Sequence, residues 1–148
     1  RHGSDFWWVV PTNLFRCADG WIYGNVVPSF WDVFAISIDK PELLIDERFT
    51  TNALRCENRA ELHEIISQSL APMSKAEVQS RATKYRVPIG VVQTFGDILR
   101  DPHLAVRDVW QRVKIDSSNV LHSPRRPWRV NGDPPDGITL EPKELQDG

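Results

Sequence analysis

The chain's 148 residues are the length of one ordinary domain, with or without a tail. Apolar residues make up 41%, enough for a packed core that needs neither disulfides nor a metal. A net charge of −2 excludes a basic field for a nucleic-acid backbone and a polybasic membrane anchor, and no apolar run is long enough to span a bilayer.

Phe6-Trp7-Trp8-Val9-Val10 is a bulky, β-prone run ended by Pro11. It reads as a strand edge or as an extended arm laid over a groove. Asn13 to Cys17 and Trp21 to Val27 flank Ala18-Asp19-Gly20, and an Asp-Gly pair between two β-prone runs predicts a hairpin. Pro28-Ser29 closes the second strand, and Ser29 is placed to cap a helix running to about Ile38. Pro41 starts a short helical turn through Leu44. Apolar residues at Leu54, Leu62, Ile65, Ile66 and Leu70 predict one amphipathic helix over Ala53 to Leu70, stopped by Pro72. Ser74 and Glu77 form a capping box that opens the next helix, which runs to about Lys84.

Pro88 and Gly90 force an extended segment, with a short strand over Ile89 to Gln93. Thr94 caps a helix over Phe95 to Arg100, Asp101-Pro102 interrupts it, and Leu104 to Arg107 forms a further turn. Val109 to Ile115 alternates, with Val109, Gln111, Val113 and Ile115 on one face, as a half-buried antiparallel strand does. After a turn at residues 116–119, Val120-Leu121-His122 begins its partner. Beyond Pro124 prolines and glycines dominate, and Trp128 and Val130 are the only large anchors. The fold class is therefore α+β: a small antiparallel sheet, made of the hairpin plus a C-terminal strand pair, packed with several short helices.

Chemistry-bearing patterns are sparse. Two cysteines, Cys17 and Cys56, predict reduced thiols and a cytoplasmic location. No histidine lies at zinc-site spacing from a second ligand, so no metal site is expected, and His63 reads as a solvated helix residue. Neither a glycine-rich phosphate loop nor a Gly-x-Ser-x-Gly elbow occurs. Asp46 and Glu47, followed by Arg48, read as a structural turn. Arg125, Arg126 and Arg129 beside Trp128 read as a solvated tail with Trp128 packed on the domain. Trp7 and Trp8 either line a ligand pocket or belong to an arm packed in an interface or core. No catalytic residue is assigned. No apolar segment of leader type lies near Arg1, so no signal peptide is expected, and a first residue other than Met points to a trimmed chain or a piece of a longer one.

A series of motifs in order carries a resemblance. They are Asn13-x-Phe15-Arg16-x-Ala18-Asp19-Gly20-Trp21-Ile22, Lys40-Pro41-Glu42-Leu43, Asp46-Glu47-Arg48-Phe49, Asn52-x-x-Arg55-x-x-Asn58-Arg59-x-x-Leu62, Val87-Pro88-x-Gly90-x-Val92-x-Thr94 and Asp101-Pro102-His103-x-x-x-Arg107. Together they resemble the second half of a family III CoA-transferase, the CaiB/BaiF group, over Arg1 to about Val130. Physically, Asp19-Gly20 suits the hairpin and Asp46 with Arg48 suits a helix corner plugged by Phe49. Pro88 and Gly90 suit a kinked strand whose backbone something approaches closely.

The resemblance implies a small domain over 1–130 with a Pro/Gly-rich tail over 131–148. It also implies a large Rossmann-like domain that carries the nucleophilic aspartate and that these residues do not match. The substrate is a coenzyme A thioester, with no covalently bound cofactor. The partners implied are CoA thioesters through that large domain, and a homodimer or an N-terminal half, with no nucleic acid and no membrane. Where oxalate-specific relatives carry a glycine-rich loop, this chain has bulky residues. That implies a substrate-pocket wall at Gly3, Ser4, Trp7 and Trp8. Alone, such a segment is expected to be inactive. The alternatives are a stand-alone dimerisation or binding module and a fragment of an α-methylacyl-CoA racemase. The racemase branch has a glutamate shortly after the hairpin, whereas the first acid here is Asp32.

Overall fold

The computed structural model describes residues 3–115 and 118–125. Cα proximity divides the chain into two compact units, Arg1–Val92 and Gln93–Gly148. The fold is α+β, as the residue patterns predict.

In the first unit, β1 (Thr12–Cys17) and β2 (Gly20–Asn25) form the expected hairpin. Its two-residue loop is Ala18-Asp19, because Gly20 already pairs with Cys17. Asp19 is used elsewhere: its Oδ1 accepts the Lys75 N–H at 2.7 Å, tying the hairpin tip to the start of α4 (Lys75–Tyr85). The strand β3 (Ile89–Val91) adds antiparallel to β2. Alternation sends Phe15, Cys17 and Ile22 inward and Leu14, Trp21 and Tyr23 outward.

The first helix begins differently from expectation. Pro28–Phe30 forms a 3-10 turn closed by Phe30 N–H on the Val27 carbonyl at 2.9 Å, and α1 (Trp31–Ser37) follows without a side-chain cap. Pro28 sets φ for that tighter turn and draws Ser29 into it, so Ser29 does not cap. A second 3-10 turn covers Pro41–Leu44, as predicted.

The single helix expected over Ala53 to Leu70 is two, α2 (Asn52–Glu57) and α3 (Arg59–Leu70). Asn58 makes the break. Its Nδ2 donates to the Leu54 carbonyl at 2.9 Å and to the Arg48 carbonyl at 3.3 Å. An Asn side chain that takes over backbone acceptors ends a helix locally. Ser74 caps α4 by accepting the Glu77 N–H at 3.1 Å. Arg86 ends α4 in the left-handed region at φ 57°. Leu62, Ile66 and Leu70 of α3 and Val78 and Ala82 of α4 are buried in one core with Phe15, Ile22, Phe34 and Phe49.

In the second unit, α5 (Phe95–Leu99) opens with the predicted cap at Thr94. Thr94 Oγ1 accepts the Asp97 N–H, while Asp97 accepts the Thr94 N–H at 2.9 Å. Asp101 caps α6 (Pro102–Val106) by accepting the N–H groups of His103 and Leu104. The strands β4 (Trp110–Lys114) and β5 (Val120–Pro124) pair antiparallel, from Trp110↔Pro124 to Lys114↔Val120. Burial does not follow the expected alternation, since Ile115 is exposed and Trp110 is half-buried. Among the described residues β4 pairs with β5 alone, and a two-stranded ribbon has little to bury a face against. The tail over 131–148, with Trp128 and Val130 before it, lies outside the described residues.

Candidate functional site

The site is built on the arm that precedes β1. Gly3 turns at φ 64°, and the Ser4 hydroxyl donates to Asn13 Oδ1 at the start of the hairpin. The run Phe6 to Val10 is not a strand. A face of α2 and α3 holds it through its carbonyls instead. Arg59 Nη2 donates to the Trp7 carbonyl at 2.8 Å, and Asn52 Nδ2 donates to the Trp8 carbonyl at 2.7 Å. Asn52 Oδ1 accepts the Val10 N–H at 3.2 Å, so this one side chain brackets two residues of the arm. Arg55 Nε donates to the Val10 carbonyl at 3.0 Å and Nη1 to the Phe49 carbonyl at 2.8 Å.

With the backbone held inward, the side chains of residues 6–8 are exposed, while Val10 is buried in the core. Trp7 is 58% exposed and Trp8 61%, and their ring centroids lie 4.5 Å apart at an interplanar angle of 51°. Phe6 is also exposed. Of the residues expected to wall a pocket, Trp7 and Trp8 form one aromatic pair, while Gly3 and Ser4 form the root of the arm beside Asn13. An extended arm describes this segment; a strand edge does not, because apart from the Phe6 N–H on the Thr12 carbonyl its hydrogen bonds go to side chains.

Beneath the arm lies a cluster of charged and polar groups. Asp5 pairs with Arg59 at 3.0 Å, and His63 sits beside them, its Nδ1 3.3 Å from Asn13 Nδ2 and its Nε2 4.0 Å from Asp5 Oδ1. The expectation that His63 is solvated is overturned: its side chain is only 15% exposed and packs edge-on against Phe15 at 5.5 Å. Burial pushes the imidazole below the ordinary histidine value. Asp5 opposes that shift and Arg59 reinforces it. Asn52, Arg55, Arg59 and His63 recur at helical spacing, a polar stripe that faces a segment of backbone rather than solvent.

Arg55 is 2% exposed, lies 4.4 Å from the Trp31 ring centroid, and is pushed down by burial. Asp46 and Arg48 lock the corner before α2 with contacts of 2.7 and 3.0 Å, and Arg48 also pairs with Glu61. Phe49 is fully buried beneath, as the turn reading required. The Arg48 guanidinium holds the Asp46 carboxyl below its usual range. At Gly90 a Cβ would meet open space, so among the described residues nothing makes the close approach that the sequence suggested. Cys17 is buried and Cys56 half-buried, both as free thiols, and burial raises the Cys17 pKa. Among the described residues no group of His, Cys, Asp or Glu could hold a metal ion, and no helix is long and apolar enough to cross a membrane. Chemically, the arm offers an aromatic surface on a held backbone.

A sequence profile described as CoA-transferase family III matches residues 1–147. A succinyl-CoA–D-citramalate CoA-transferase of Chloroflexus aurantiacus is 32% identical over 101 residues, covering 67% of this chain and 25% of that protein. A probable fatty acyl-CoA transferase of Mycobacterium tuberculosis is 28% identical over 119 residues, covering 78% of this chain and 30% of that protein. The crystal structure of that mycobacterial protein superposes with a TM-score of 0.71 over 85% of this chain and 36% of that one. A CaiB/BaiF family protein from Brucella suis superposes with a TM-score of 0.78 at 22% identity, over 90% of this chain and 34% of that one, a likeness of fold alone. The chain thus spans between a quarter and about a third of the length of these relatives.

Proposed function

Because this chain belongs to CoA-transferase family III, we propose that its residues 1–130 serve as the small domain of an acyl-CoA:carboxylate CoA-transferase, with 131–148 as a tail. In this reading the domain contributes one wall of the substrate pocket and contacts between subunits of a cytoplasmic homodimer, or with an N-terminal half. The nucleophilic aspartate comes from a large domain outside the share of the relatives that this chain spans. The substrate is a coenzyme A thioester, and these residues alone do not turn over. The observation that carries the reading is the exposed Trp7–Trp8 pair on an arm whose backbone is held at Trp7, Trp8 and Val10. An apolar surface fixed in this way excludes water from one side of a reacting acyl group without contributing a catalytic atom. Gly3 and Ser4 set where that surface begins.

The test is CoA transfer from succinyl-CoA to citramalate, the pair in one relative's name, by this chain alone and joined to a family large domain. No turnover is expected alone. In the joined enzyme, Trp7→Ala and Trp8→Ala each raise KM for one substrate about tenfold, the loss of an aromatic contact of about 1.4 kcal/mol. Turnover by the isolated chain, or unchanged kinetics in both variants, sinks the reading. A stand-alone binding module is the second reading, favoured by the same exposed aromatics. Its sign would be a stable dimer of the isolated chain that Trp7→Ala dissociates.

A further inference from the structure

His63 lies at a junction whose hydrogen-bond logic is fully determined. The Leu14 N–H, which can only donate, meets Asn13 Oδ1 at 2.8 Å. Ser4 donates its hydroxyl to the same oxygen. The amide of Asn13 is therefore oriented with its NH2 toward His63 Nδ1, 3.3 Å away. A donor there makes Nδ1 an acceptor, so neutral His63 carries its proton on Nε2. Nε2 faces Asp5 Oδ1, and neither atom has a hydrogen-bond partner. The charged groups around the ring are Asp5 from the arm and Arg59 from α3, with uncharged Asn13 and Phe15 from β1.

A second proton on this ring goes to Nδ1 and sets an N–H against the Asn13 NH2. Two donors then face each other, and relief requires the Asn13 amide to turn over. That withdraws Oδ1 from Ser4 and from the Leu14 N–H. The imidazolium also draws on Asp5 in competition with Arg59, and Arg59 is the residue that holds the Trp7 carbonyl. The Ser4 tie at the root of the arm and the Arg59–Asp5 pairing depend on an uncharged His63, whereas the Phe6 N–H donates to the Thr12 carbonyl at 3.2 Å and does not touch it. The ties from Asn52 and Arg55 to Trp8 and Val10 do not touch it. We propose that neutral His63 is an acid-opened latch at the root of the arm: protonation releases Ser4 from Asn13 and draws Asp5 from Arg59 toward the ring, so that Gly3 to Asp5 rearrange while Phe6, Trp8 and Val10 stay anchored. The sign follows from burial. A histidine held below its ordinary value of 6.5 supports the closed arm above that pH and loses it as pH falls.

The experiment is a nitrogen-15 NMR titration of this 148-residue chain from about pH 8 to 5, the window in which histidine charge changes, with the indole signals assigned through Trp7→Phe and Trp8→Phe. The expected result is the Nε2–H tautomer at neutral pH, a His63 midpoint below 6.5, and shifts of the Ser4 and Asp5 signals at that midpoint with Phe6, Val10 and Thr12 still. His63→Asn, which keeps an acceptor near the Nδ1 position and cannot titrate in this range, abolishes the arm transition. An Nδ1–H tautomer, arm signals that ignore the His63 midpoint, or an arm transition that persists in His63→Asn overturns the latch. Should the variant fail to fold, the wild-type titration decides alone. The readout involves no CoA transfer, so the latch stands or falls apart from the function proposed above.

Discussion

Arg55 brings a full charge to a place where 2% of the residue is exposed, and its hydrogen bonds explain why. It supplies donors to the buried Val10 and Phe49 carbonyls, and its guanidinium rests on the Trp31 ring. A buried carbonyl left without a donor costs about 1–3 kcal/mol. Arg55→Met keeps the length and removes both donors. It is expected to lower stability by about 2 kcal/mol or more, the orphaned carbonyls outweighing the relief of charge burial. Urea unfolding reads this directly, and an unchanged midpoint would refute it. The residue type was visible in the sequence; its burial was not, since an arginine at a helix position reads as a solvent-facing charge until its acceptors are known.

Most elements with local cues were legible. Ser74 and Thr94 each act as the expected cap and Pro41 starts the expected turn, whereas Ser29 does not cap and Asp101, expected to interrupt one helix, caps the next. At α6 the cap also makes a pH prediction. The Leu104 N–H holds the Asp101 carboxylate below its ordinary value, with the Gln93 amide and the His103 N–H assisting. A depressed carboxyl supports the helix above its ordinary value of 3.8 and loses that support as pH falls. Protection factors of the α6 amides, measured against the intrinsic exchange rate at each pH, are expected to fall on acidification below that value, and Asp101→Ala to show the low protection already at neutral pH. Equal rates in both proteins would discard the idea. The break between α2 and α3 was less legible: Asn58 ends the helix because it also reaches the Arg48 carbonyl, in a turn that periodicity does not see.

Across the whole molecule the apolar burial is uneven. Every buried core residue, from Val10 to Ile89, belongs to the unit Arg1–Val92. The described residues of the other unit are exposed or half-buried, with Phe95 and Val106 both more than 80% exposed. Stability follows apolar burial, so amides of α3 around Leu62 and Ile66 should exchange only through global unfolding. Those of α5, α6, β4 and β5 should open at far lower cost. Hydrogen exchange followed by mass spectrometry distinguishes the two, and equal protection in both units would contradict this division.

By itself the amino-acid order determined the α+β class, the hairpin, the caps at Ser74 and Thr94 and the likeness to CoA-transferase family III. Each of these rests on residues a few positions apart or on motifs in series. Only the tertiary structure decided the course of the arm, the inward face of the Asn52–Arg55–Arg59 stripe and the burial of His63. Their hydrogen-bonded partners in the arm and at Asn13 lie 42 to 54 positions away in the chain. The physical reason is that a polar side chain on a helix has the same local signature whether it meets water or a distant carbonyl. Packing alone chooses between them.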